Sequence, residues 1–98
     1  RRLSSWEVYE VALNFFPPYG TFTSQDLDAA ISLRYERKKF NSASAHLHHF
    51  NRLGIVERID GTRSTGYVYV IRKNLKKLEF QKVYNKAYGR LEGLNNGR

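Results

Sequence analysis

The sequence predicts an α+β fold, in which three helices lead into a β-hairpin and a further helix closes the chain. Three observations predict it. Apolar residues recur at helical spacing over residues 6–16, 27–31 and 43–53. The pattern then switches to alternation over residues 55–59 and again over 67–72. Breaks rich in Gly, Pro, Asn and Asp separate these segments. A chain of 98 residues supports one modest core, and an apolar fraction of 41% with 14% aromatics is that of a folded protein.

The first helix is expected over residues 5–16. Ser4 or Ser5 caps it, and Ser4 with Glu7 has the spacing of a capping box. Trp6, Tyr9, Leu13 and Phe16 fall on one face, Val8, Ala12 and Phe15 widen it, and Glu7, Glu10 and Asn14 form a polar stripe. Pro17 and Pro18 stop the helix, and Tyr19-Gly20 turns the chain. Thr21 and Phe22 suit a very short strand. Thr23 then caps a second helix with Asp26 three residues on, and Leu27, Ala30 and Ile31 face inward. Residues 32–40 either extend that helix or form a basic connector.

Asn41 or Ser42 opens a third helix that runs to Leu53. Ala43, Leu47, Phe50 and Leu53, helped by His46, make its buried stripe, and Gly54 stands where a left-handed C-terminal cap belongs. Residues 55–59 and 67–72 read as the two strands of a hairpin, with residues 60–66 as a flexible loop. A longer helix is expected from Asn74 to about Leu91, before a Gly- and Asn-rich tail expected to fray. The corresponding division is a domain over residues 1–73, a C-terminal helix over 74–92 and a tail over 93–98. A start at Arg1 rather than methionine fits a piece of a longer chain.

Charge narrows the class of partner. Seventeen Lys and Arg against nine Asp and Glu give a formal net charge of +8 and favour a polyanion, nucleic acid before membrane. From Arg34 onward fifteen basic residues stand against five acidic ones. There is no cysteine, which excludes disulfides and thiolate metal sites. His46 and His49 are neighbours on one helical face, but two imidazoles do not complete a zinc sphere, so neither a metal nor another cofactor is expected. No nucleophile signature, P-loop or HExxH motif is present, and the carboxylates are scattered, so an enzyme is not expected. No membrane span or signal peptide is visible, and a cytoplasmic, nucleoid-associated protein is the corresponding expectation.

Residues 41–72 resemble the recognition helix and wing of winged helix-turn-helix proteins. The resemblance rests on the Ser-rich helix start, Ala43, the repeat Leu47, Phe50, Leu53, the direct passage Leu53-Gly54-Ile55-Val56 from helix to strand, a loop containing Gly and Arg, and Tyr67 on the return strand. With the upstream helices it spans about residues 6–72. A long helix after the wing resembles the dimer element of PadR-like regulators and related plasmid or archaeal DNA-binding proteins. The basic stretch between helices two and three is a departure, being longer than the usual tight turn.

The resemblance implies that helix three enters the major groove, whose edges distinguish all four base pairs. Small residues at Ser44 and Ala45 permit close approach, and Ser44, His48, His49 and Arg52 offer hydrogen bonds. Ser42 and the helix N-terminus suit a phosphate. Thr62, Arg63 and Ser64 at the hairpin tip are placed to follow the backbone or enter the minor groove. Arg34, Arg37, Lys38 and Lys39 would position the domain through phosphates. In the last helix Leu75, Phe80, Tyr84, Ala87, Tyr88 and Leu91 supply a dimerisation surface, with Leu78 joining the core. The expected function is a sequence-specific, double-stranded DNA-binding homodimer, a transcriptional regulator. A plasmid partition or replication protein that spreads on DNA is one alternative; a winged-helix protein-interaction module is the other.

Overall fold

Local sequence chemistry sets the helix starts, and the computed structural model describes the chain over residues 3–36 and 41–89. Helix α1 (Ser5–Phe15) begins with a reciprocal capping box: Glu7 N donates to Ser4 Oγ, and Ser4 N donates to the Glu7 carboxylate. The Pro17-Pro18 pair ends it, as expected. Strand β1 (Thr21–Thr23) leads directly into α2 (Ser24–Arg34), which Thr23 and Asp26 cap in the same reciprocal way. Leu27, Ala30 and Ile31 are its buried residues.

Helix α3 (Ala43–Leu53) buries Ala43, Leu47 and Phe50, with Leu53 and His46 partly covered. It ends on Gly54 in the left-handed region, φ 77°, whose N–H returns to the last turn. Strands β2 (Val56–Thr62) and β3 (Gly66–Ile71) form the hairpin, and β3 is central in an antiparallel sheet of order β1-β3-β2. Phe22 lies opposite Tyr69 in one pairing, and Arg58 lies opposite Tyr69 in the other.

The hairpin is longer and its loop tighter than the sequence suggests. Ladder pairing continues to Thr62↔Gly66, leaving residues 63–65 as the turn rather than a loop over residues 60–66. Two features extend it. An irregularity between Arg58 and Asp60 absorbs Ile59 as an extra residue. Gly61, φ 92°, then lets the strands cross closely: a Cβ there would lie 2.1 Å from the Gly66 carbonyl oxygen.

The core is a layer of aromatics between α1, α3 and the C-terminal helix α4 (Lys77–Tyr84). Phe80, 1% exposed, stacks on Tyr9 at 5.0 Å and meets Trp6 at 5.5 Å and Phe50 at 5.8 Å. The Tyr9 hydroxyl donates to the Lys73 carbonyl and accepts from Leu75 N at 3.0 Å. This buried phenol therefore fastens the link between β3 and α4. Burial raises its pKa, the Leu75 hydrogen bond opposes that, and the Glu79 charge adds a smaller push upward.

Four expectations are corrected here. Helix α4 starts at Lys77, not Asn74; Lys76 N donates to Glu79, and the link from Arg72 to Lys76 is held instead by Tyr9 and by the Ile55 carbonyl. The α-helix ends at Tyr84 and continues as a π-helical turn, Asn85–Gly89. Its inner side is also the opposite of that expected: Phe80 is in the core, whereas Leu78 is 78% exposed. In α1, Val11, outside the expected face, is buried, and Phe15, the last residue of the helix, is 41% exposed.

The element order and the three-stranded antiparallel sheet make this an α+β protein compatible with a winged-helix layout.

Candidate functional site

The residues singled out on helix three divide according to how α3 packs. Ser44, Ala45, His48 and Arg52 are exposed together on the face opposite Ala43, Leu47 and Phe50. No acidic residue lies on this helix. The exposed face thus offers small residues near its start, then an imidazole and a guanidinium one turn apart.

His49 is placed differently. Its ring meets Tyr88 of the π-helical turn edge-on at 4.8 Å, and its Nδ1 is buried without a hydrogen-bond partner. Desolvation lowers its pKa, with His48 and Arg52 adding to the effect. His49 therefore packs beneath the C-terminal element instead of sharing the open face with His48. His46 is half-buried; its Nδ1 lies 3.4 Å from Ser5 Oγ. Burial and then the neighbouring His49 lower its pKa below the ordinary 6.5.

The start of α3 differs from the phosphate-ready N-terminus expected. Ser42 is exposed but makes no side-chain cap, and Asp28 of α2 supplies one: Ala43 N donates to Asp28 Oδ1 at 3.0 Å. Partial burial raises the Asp28 pKa, and the Ala43 hydrogen bond opposes that rise. A carboxylate already complements the helix dipole here, so a phosphate approaching the same N–H groups would meet a like charge. No local sequence signal announces this cap, because the partners lie 15 residues apart and only the α2–α3 packing brings them together.

The hairpin is tied to α3 at its base. Asn51 Oδ1 accepts from Arg58 N at 3.0 Å, and the Arg58 guanidinium lies 3.8 Å from the centre of the Tyr67 ring. Arg58 was not among the expected site residues. The alternation of IVERI does place it on the same side of the strand as Val56, which is the signal that could have found it. Its Nε is buried without a hydrogen-bond partner.

At the tip, Thr62 and Thr65 hold the turn. Thr62 N donates to Thr65 Oγ1 at 3.0 Å, Thr65 N donates to Thr62 Oγ1 at 3.1 Å, and Ser64 Oγ lies 3.2 Å from Thr62 Oγ1. Two of the expected contact residues, Thr62 and Ser64, thus first serve to shape the tip, while Arg63 stays exposed. Arg63, Ser64 and Thr65 line a polar groove of about 210 Å³ with Thr23, Ser24 and Gln25, so the tip faces the start of α2.

Arg34, at the end of α2, is exposed with its guanidinium 4.8 Å from the centre of the Tyr35 ring. Arg37, Lys38 and Lys39 lie outside the described residues, as does Leu91. Of the expected dimerisation residues, Phe80 is in the core and Leu75 and Tyr84 pack against it. Tyr88 covers His49, and among the described ones only Ala87 remains exposed. The stripe is therefore used largely within the chain, because Trp6, Tyr9 and Phe50 form a slot that Phe80 fills.

Among the described residues no three His, Cys, Asp or Glu side chains come together in a group that could hold a metal. No helix there is long and apolar enough to cross a membrane. Comparison with protein-family models, curated proteins and solved structures gives no match to this chain.

Proposed function

We propose that this chain is a winged helix-turn-helix domain that binds double-stranded DNA, with α3 in the major groove and the hairpin as its wing. The observation that carries the reading is the exposed face of α3: Ser44, Ala45, His48 and Arg52 side by side, with no acidic residue on the helix. A helix fits the major groove, and small residues near its start let it sit deep enough for longer side chains to reach base edges.

The remaining parts divide the work. His48 and Arg52 read bases, Arg63 at the rigid wing tip contacts the backbone, and the groove between the tip and the start of α2 has the polar lining a phosphate strand needs. Arg34 adds a cation at the end of α2. The formal charge of +8 supplies long-range attraction. His49 takes part only where Tyr88 moves aside. In the regulator form of this proposal two copies bind an inverted repeat whose half-sites lie about one helical turn apart. Among the described residues, Leu78 and Ala87 are the apolar ones that the C-terminal element leaves exposed to a second copy.

A gel-shift and footprint on fragments of the source genome test the reading. The expected result is a protected site of defined sequence, whose pattern changes in Arg52→Ala. Equal, weak retention of every fragment at physiological salt would contradict sequence-specific binding.

A further inference from the structure

A second recognition feature lies at the opposite end of the hairpin from its tip. The end of α1, the turn after it and the end of β3 enclose an apolar cleft of about 170 Å³. Leu13, Phe16, Pro18, Tyr19 and Ile71 make its walls, and Arg72, Lys73 and Asn74 its rim. The walls are set before any ligand arrives. Phe16 stacks flat on Phe22 at 4.4 Å, Gly20 N donates to the Pro17 carbonyl at 2.9 Å, and Tyr9 pins the Lys73 carbonyl.

Size and surroundings identify the kind of occupant. The volume suits one aromatic or branched side chain and falls short of the ~300 Å³ at which small-molecule sites usually begin. Apolar surface continues beyond the cleft: Tyr19 is 75% exposed, and Phe15, next to Phe16, is 41% exposed. Tyr19 is also held at φ 65°, a conformation unfavourable for a bulky residue. Exposed aromatics around a preformed pocket, with cations at the rim, are the composition of a protein-interaction hot spot.

Charge selects among proteins. No carboxylate lines the cleft. Arg72 pairs with Glu57, while Lys73 is exposed and has no carboxylate partner among the described residues. A second copy of a +8 chain would bring repulsion to this rim, whereas an acidic segment would bring attraction.

We propose that this cleft is a docking site for an acidic peptide segment of a protein partner, which inserts one aromatic side chain between Phe16, Tyr19 and Ile71 and sets a carboxylate against Lys73. Strand β3 separates the cleft from the wing tip by about 20 Å, at some 3.3 Å per residue, so the site stands independently of the DNA-binding reading. A partner held here would leave α3 and the wing uncovered.

The test is an amide NMR titration of the whole chain with a capped pentapeptide, one phenylalanine between two pairs of glutamates. The expected result is shifts centred on Leu13, Phe16, Tyr19, Ile71 and Lys73, with a dissociation constant on the order of 1 mM. Lys73→Glu, a change at an exposed position, weakens binding roughly fivefold while the remaining spectrum is retained. Replacing the peptide's phenylalanine by serine, or its glutamates by lysines, abolishes the localised shifts. Equal binding of any of these controls, or no localised shift at all, would overturn the proposal. Equal binding of N-acetylphenylalaninate would overturn it in favour of a small ligand.

Discussion

The two faces of α3 follow opposite rules. Its inner face carries Ala43, Leu47 and Phe50, all fully buried, against α1, α2 and the aromatic layer. Its outer face carries Ser44, Ala45, His48 and Arg52, all exposed, and among the described residues none of their side chains forms a hydrogen bond or ion pair. Residues that bury the helix and residues whose side chains stay exposed thus alternate within 11 positions. The lesson is that the burial that holds this helix and the proposed binding face occupy different residues, so substitutions should affect one without the other.

The largest effects belong to the inner layer. Leu47→Ala and Phe80→Ala each remove a fully buried side chain and should cost about 3–5 kcal/mol, read by denaturant unfolding. Phe80→Ala sharpens the comparison further. If α4 were only a partner-facing helix, this substitution would leave monomer stability unchanged; its position against Trp6, Tyr9 and Phe50 predicts a large loss.

Tyr9→Phe comes next. It keeps the ring but leaves the Lys73 carbonyl and Leu75 N–H without their partner, at a cost of about 1–3 kcal/mol. Asp28→Ala removes the cap of α3 and should cost about 1 kcal/mol. Asp28→Asn keeps an acceptor while removing the negative charge, so it should lose less stability and tighten DNA binding. Weaker binding by Asp28→Asn in a duplex titration would show that the carboxylate does not oppose the phosphates.

The smallest effect is a pH dependence at the boundary between the two faces. His46 and His49 both have pKa values below the ordinary 6.5, mainly through burial. Above that value both folded and unfolded chains hold these rings neutral. As pH falls below it the unfolded chain takes up protons first, so stability declines until the folded-state values are passed. The thermal midpoint should therefore fall between about pH 7 and pH 5, and His46→Gln should flatten that decline.

The same contrast explains what was legible in the sequence. The capping boxes at Ser4/Glu7 and Thr23/Asp26, the left-handed Gly54 and the inward residues Leu27, Ala30, Ile31, Leu47 and Phe50 depend on neighbours within one or two turns. Each could be read directly. The Asp28 cap, the Asn51–Arg58 tie and the Tyr9 clasp join residues that only the folded chain brings together, and no local spacing encodes them. The aromatic series in α4 was visible as a stripe, but periodicity reveals a face without revealing what covers it. Trp6 and Tyr9 cover it here. The outer face of α3 was legible because it is what the buried repeat leaves over; the loss of His49 from it was not, because Tyr88 arrives from 39 positions along the chain.

The central claim is that the outer face of α3 and the wing tip bind DNA. Fluorescence anisotropy with a duplex library across a range of salt concentrations tests it most directly, comparing the unaltered chain with the double variant Arg52→Ala/Arg63→Ala. The account predicts tight, strongly salt-dependent binding by the unaltered chain. It predicts weaker binding by the double variant, with a log–log slope shallower by about 1 from the lost Arg63 backbone contact and stability within about 0.5 kcal/mol. Absence of binding at low salt, or identical affinity and slope for the two proteins, would contradict it.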